Sequence, residues 1–256
     1  MKANGFRHIL IFLYQSWQTV LVKMLFVCLL LSPITGMSQI LELDYDGFTV
    51  FLDCDRRGAI NFEYTAKKDN GNLPRKSSFT FDPEIPEDCQ QTSSASYSHS
   101  EFAFDRGHLI PANHLDHLKL GIKQSNYMTN ILPQARTMNR GAWKLTEEII
   151  ECKRDEETLN VIGGVVWGRN PDDDFFIESH GVETPDYFWK VVIGNDKAIA
   201  WLIPNSHNAK RSRLDEYIIS IEELEEFLHE SIQAPANLKN MKPRKSWSLP
   251  SGCDKS

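Results

Sequence analysis

Strand-forming runs arrive in series, and this constrains the fold of the chain more than any other feature. Phe48–Leu52, Ile60–Tyr64, Leu159–Trp167, Tyr187–Ile193 and Ile199–Ile203 are each short and rich in Val, Ile and aromatic residues, the composition of β-strands. Asp55-Arg56-Arg57-Gly58 joins the first two as a hairpin loop. Only two stretches read as helices. Trp143–Arg154 has an apolar side of Leu145, Ile149 and Ile150. Ser220–Glu230 opens on a Ser220/Glu223 capping box and carries a stripe of Ile221, Leu224, Phe227 and Leu228. Strands that do not alternate with helices predict an α+β fold with a mainly antiparallel sheet flanked by helices, not a doubly wound one.

The first 38 residues read as a leader. They hold Lys2, Arg7 and Lys23 and no acidic residue, then the apolar run Met24–Leu31, a break at Ser32-Pro33 and the small residues of Gly36-Met37-Ser38. That is a signal-peptide pattern with cleavage after Ser38, followed by one domain over 39–256. Loss of three basic and no acidic residues takes the net charge from −7 to −10. Export, with no stable membrane association after cleavage, follows. The remaining cysteines, Cys54, Cys89, Cys152 and Cys253, are even in number and too widely spaced for a CxxC zinc site. They predict two disulfides; four cysteines allow three pairings, which the sequence does not choose between, and Cys54 with Cys89 is a guess among them. So acidic a chain lacks the broad basic face of many nucleic-acid binders. Any phosphate chemistry must be confined to a focused cleft.

The chemistry concentrates between Phe104 and Glu151. There the chain reads Asp105-Arg106-Gly107-His108, then Ser125-Asn126 leading to Asn130-Ile131-Leu132-Pro133-Gln134, then Asn139-Arg140-Gly141-Ala142-Trp143 with Glu147 beyond. His108 suits a general base near neutral pH. Asn130 and Asn139 offer neutral oxygens. Eight residues separate Asn139 from Glu147, about 80° apart on a continuous helix, so both can border one cleft. A histidine base, an amide oxygen, a carboxylate and arginines suit metal-assisted phosphodiester hydrolysis.

These three segments, in this order, closely resemble the DNA/RNA non-specific endonuclease family, the ββα-metal nucleases. The strong resemblance covers residues 104–151, and a weaker one extends over most of the domain. It implies a ββα-metal nuclease fold and a secreted, Mg²⁺-dependent (or Mn²⁺-dependent) endonuclease acting on DNA and RNA, with 5′-phosphate and 3′-hydroxyl products. His108 becomes the general base and Asn139 the direct metal ligand. Glu147 serves the metal through water, and Asn130 positions the site. Asp105 and Arg106 support the His108 loop beside the substrate. Arg75, or Lys76 next to it, contacts the phosphate. Related nucleases often carry a further arginine where this chain has Glu151; Arg140 and Arg154 are the candidates to replace it. Two other readings compete. One is a decayed nucleic-acid-binding protein on the same fold. The other is a zinc hydrolase built on His108, His114 and His117. Oligomeric state is not legible.

Overall fold

The computed structural model describes residues 39–255; the expected leader, with Cys28, lies outside them. Among the described residues, seven strands form one antiparallel sheet in the order β1 (Ile40–Tyr45), β2 (Phe48–Asp53), β3 (Gly58–Ala66), β6 (Leu159–Val166), β7 (Tyr187–Ile193), β8 (Ala198–Pro204) and β9 (Ile218–Ile219). All five expected strands are present. Two more, β4 (Phe104–His108) and β5 (Ile131–Ala135), form a separate antiparallel ribbon.

Side-chain alternation gives the sheet two apolar faces. On β7, Trp189, Val191 and Ile193 pack beneath the helix Ile221–Leu228 with Ile221 and Leu224. Phe188 and Val192 face the larger core, which holds the β4–β5 ribbon and the helix Lys144–Arg154 through Ile131, Leu132, Trp143, Ile149 and Ile150. We number the helices α1 (Gly121–Gln124), α2 (Lys144–Arg154), α3 (Ile177–His180) and α4 (Ile221–Leu228). The expected capping box of α4 is formed: Glu223 N donates to Ser220 Oγ at 3.1 Å, and Ser220 N to Glu223 Oε2 at 2.9 Å. Phe227 departs from the expected apolar stripe. It is exposed and meets Tyr187 edge-on.

The segment 67–100 holds no strand of more than single bridges, and it is tied down covalently. Cys54 pairs with Cys89, and Cys152 on α2 pairs with Cys253. The Cys54–Cys89 bond spans 35 residues, so its loss restores about 4 kcal/mol of loop entropy to the unfolded chain. A Cys54→Ser, Cys89→Ser protein is expected to lose stability on that scale in urea titration. A loss below about 1 kcal/mol would show the segment held by its other contacts.

Candidate active site

The ribbon carries its chemistry at its end. His108 is the last residue of β4, and its backbone carbonyl is fixed twice: Trp143 Nε1 donates to it at 3.0 Å and Gln134 Nε2 at 3.4 Å. Gln134 is fully buried and pairs across the ribbon with Asp105, and a Cβ at Gly107, diagonal to it, would come within 2.1 Å of its side chain. Glycine at 107 lets Gln134 lie there.

The helical run after β5 departs from plain α geometry. Arg136–Met138 is one α-helical turn, Asn139–Trp143 is a π-helical turn, and α2 follows. A π turn at this place is a common functional device. Gly141 permits it, because a Cβ there would stand 2.9 Å from Arg211 N and 3.1 Å from Ala209 O of the neighbouring backbone. Eight residues therefore do not separate Asn139 and Glu147 on one regular helix. Both nevertheless line one cleft of about 480 Å³, with His108, Arg75, Lys76, Asn126, Arg140 and Lys144.

His108 is partly buried, and its Nε2 lies 2.9 Å from Asn126 Oδ1. Asn126 Nδ2 donates to the Lys76 carbonyl at 2.8 Å, which fixes the amide with its oxygen toward the imidazole. Nε2 must then carry the proton, leaving the lone pair on Nδ1. Burial pushes the imidazole down to about 4, the Asn126 bond opposes this, and the positive charges of Arg75, Lys144 and Arg106 add to it. At neutral pH the ring is a neutral base.

Asp105 organises the neighbouring groups. Its Oδ2 accepts from Asn139 Nδ2 at 3.0 Å and from Arg140 Nε at 2.8 Å, and Arg136 Nε reaches its Oδ1 at 3.3 Å. Burial raises the Asp105 carboxyl, but the bonds from Arg140, Asn139 and Arg136 outweigh it, and the net shift is downward. Because Asn139 gives its nitrogen to Asp105, its oxygen is the end left for a cation. Glu147, 7% exposed, lines the same cleft, with Lys144 Nζ 3.3 Å from its Oε2. Among the described residues no three of His, Cys, Asp and Glu converge as metal ligands. One amide oxygen with one nearby carboxylate fits a hard dication that keeps its waters.

Several expected residues lie elsewhere. Asn130 is fully buried outside the cleft; it accepts from Ile110 N and donates to the Ile110 and Ser125 carbonyls, holding the turn after His108. Arg106 stays out of the cleft lining, donating to Ser94 O and resting 4.1 Å over the ring of Phe79, which does line it. The three-histidine zinc site is not formed. His114 is buried with Nδ1 on Tyr64 OH at 2.7 Å and Nε2 3.2 Å from Glu147 O, while exposed His117 lines a different cavity. Arg154 cannot replace the arginine missing at Glu151. It is 1% exposed and bonded to Glu151 Oε1 at 2.6 Å and to the Asn113 and His114 carbonyls.

Three residues of the site had not been singled out. Asn126 orients His108, although the Ser-Asn pair is visible in the sequence. Lys144 is a cation inside the cleft. Lys190, fully buried under α2, donates to Thr146 Oγ1 at 2.9 Å and stands 3.6 Å from the Trp143 ring centroid; burial pushes its ammonium down to about 7. A lysine in the middle of the Tyr187–Ile193 run was its only signal.

The chain spans less than two thirds of the first relatives it matches. It is 33% identical over 185 residues to an uncharacterised protein of Sinorhizobium fredii, covering 65% of this chain and 26% of that protein. It is 26% identical over 171 residues to the mitochondrial nuclease EXOG of Xenopus laevis, covering 60% and 47%. A protein of Nostoc named simply as a nuclease is 26% identical over 202 residues, covering 72% and 68%. The crystal structure of an EndoG/EndoGI complex superposes with a TM-score of 0.56 at 18% identity, covering 75% of this chain and 84% of that one. That likeness shows the fold, an antiparallel ribbon followed by a helix beside a larger sheet. The family model for DNA/RNA non-specific endonucleases matches residues 32–241. With the ribbon, the helix and the cleft between them, this places the chain in the DNA/RNA non-specific endonuclease family.

Proposed function

We propose that this protein is a metal-dependent endonuclease that hydrolyses the backbone of DNA and RNA with little sequence preference, acting outside the cell. One observation carries the reading: a neutral imidazole and an outward amide oxygen, from His108 and Asn139, share a cleft rimmed by Arg75, Lys76, Arg140 and Lys144. The cations focus positive potential on a chain whose net charge is −7, as a phosphate-binding cleft requires. The two disulfides support an oxidising compartment. No helix among the described residues is long and apolar enough to cross a membrane.

Asn139 Oδ1 would hold Mg²⁺, or Mn²⁺ in its place, with Glu147 acting through water, and the ion would supply Lewis-acid stabilisation of the leaving oxygen. His108 takes a proton from the attacking water at Nδ1, while its Nε2–H stays on Asn126. Arg75 and Lys144 bring positive charge to the phosphate, the part the resemblance gives to the arginine absent at 151. Arg75 takes this role as the resemblance implies, with Lys76 the alternative; both line the cleft. Asp105 makes no direct contact with an anionic substrate; it holds Asn139 and Arg140 in place. Contacts to phosphate alone carry no sequence information.

The test uses supercoiled plasmid and RNA. The parent should degrade both with Mg²⁺ and neither with EDTA, and Asn139→Ala should lose most activity. A folded parent inert toward both with Mg²⁺ would remove the proposal and leave a nucleic-acid-binding role. The depressed imidazole also sets a pH signature. The base form is lost only as pH falls through about 4, so kcat/KM should stay level from neutral pH down to about 5. An acid limb near the ordinary histidine value of about 6.5 would contradict the burial argument.

A further inference from the structure

Where the chain enters β4, next to the start of the helical run after β5, it presents a small aromatic surface. Phe102 is 41% exposed. The His99 ring lies 5.4 Å from it at 9°, and the His207 ring 5.7 Å away at 16°. Single exposed aromatics need no explanation, but three nearly parallel rings from two distant segments form a platform. The platform is held in place. His99 Nδ1 accepts the backbone N–H groups of Glu101 and Phe102, both at 3.2 Å, and Phe175 packs 4.3 Å from the His99 ring. The His207 loop is fastened to β5 by Asn205 Oδ1, which accepts from Ala135 N at 2.7 Å.

Its position links it to the cleft. Arg136 N donates to Ala103 O at 2.9 Å, and Phe104 pairs with Ala135. Phe102 therefore sits next to the start of the helical run. From there Arg136 and Arg140, with side chains 50% and 66% exposed, lead to Lys144 in the cleft. Arg136 stands on the α-helical turn, Arg140 on the π-helical turn and Lys144 at the start of α2, so these cations follow one another along the helical run toward the site. A row of cations ending on aromatic rings matches the two halves of a nucleic-acid strand, phosphate and base.

We propose that Phe102, flanked by His99 and His207, is a base-stacking subsite for an unpaired base of a strand whose phosphates follow Arg136 and Arg140 into the cleft. The substrates it favours are single-stranded DNA or RNA and unpaired strand ends, because a blunt duplex keeps its base faces covered. This rests on the reading of the cleft as a phosphodiester-cleaving site.

The test is fluorescence anisotropy on His108→Ala protein, which binds without cleaving. The probes are a labelled single-stranded 12-mer, the same strand with abasic residues, and a blunt 12-bp duplex. Adding Phe102→Ala should weaken the single strand about tenfold, the scale of one stacked base, and leave the abasic strand and the duplex unchanged. Phe102→Trp should restore or tighten single-strand binding. With His108 intact, Phe102→Ala should raise KM on single strands at unchanged kcat. Equal binding of the single strand with and without Phe102, or equal weakening of all three probes, would overturn the subsite. A parent that cleaves nothing would remove the nuclease reading alone, since the binding measurements judge the subsite separately.

Discussion

Replacing His108 by alanine is expected to slow cleavage of supercoiled plasmid by about 10²–10⁴-fold, the usual contribution of a positioned general base, with little change in thermal midpoint. The separation of the two effects follows from where the residue is held. Its carbonyl, not its ring, receives Trp143 and Gln134, and the backbone pairing of β4 to β5 ends there without needing the side chain. The ring's hydrogen bond goes to Asn126, whose amide remains tied to the Lys76 carbonyl. The measurement is nicking rate alongside a melting curve. A His108→Ala protein that nicks within a few fold of the parent while folded would remove the imidazole from the mechanism.

The opposite pattern is expected at Arg154. Arg154→Ala should cost about 3–5 kcal/mol, the range for breaking one side of a buried ion pair. The guanidinium answers Glu151, 2% exposed, and Asp69 at 3.2 Å, as well as the Asn113 and His114 carbonyls. Removing it takes the charged partner from the buried Glu151 carboxylate, which keeps the neutral Asn113 Nδ2 donor at 2.9 Å, and leaves two backbone oxygens without theirs. Burial already pushes the Glu151 carboxyl upward against the pull of Arg154, so the orphaned group would take up a proton. Urea titration reads this directly, and a loss under about 1 kcal/mol would contradict it. Glu151→Arg, the residue the resemblance calls for, should also destabilise, because it sets a second guanidinium against Arg154 with no carboxylate between them. Glu151 is thus part of a different solution, in which the ion pair braces α2 from below and Lys144 faces the cleft.

What could be read from the residues follows physical lines. The strands of the main sheet were legible because Val, Ile and aromatics dominate runs such as Tyr187–Ile193, buried on both faces. The ribbon was not. Asp105-Arg106-Gly107-His108 looks like a polar loop, and Ile131–Ala135 contains Pro133, tolerated at an edge opposite Arg106. The pieces of the cleft were visible as a pattern of residues, but which asparagine faces inward was not. That depends on α1 and the turn at Met128–Asn130, which send Asn126 to the imidazole and Asn130 to backbone. A π turn has no residue signature of its own. It arises where Gly141 lets a neighbouring backbone come close, a tertiary fact.

The Cys54–Cys89 bond divides labour within the molecule. His108, Asn139 and Glu147 hang on a ribbon and a helical run whose backbones are bonded throughout. Arg75 hangs on an irregular arm inside the bridged segment. Breaking that bond would loosen the arm that carries Arg75, while the ribbon and the helical run keep their own backbone bonds.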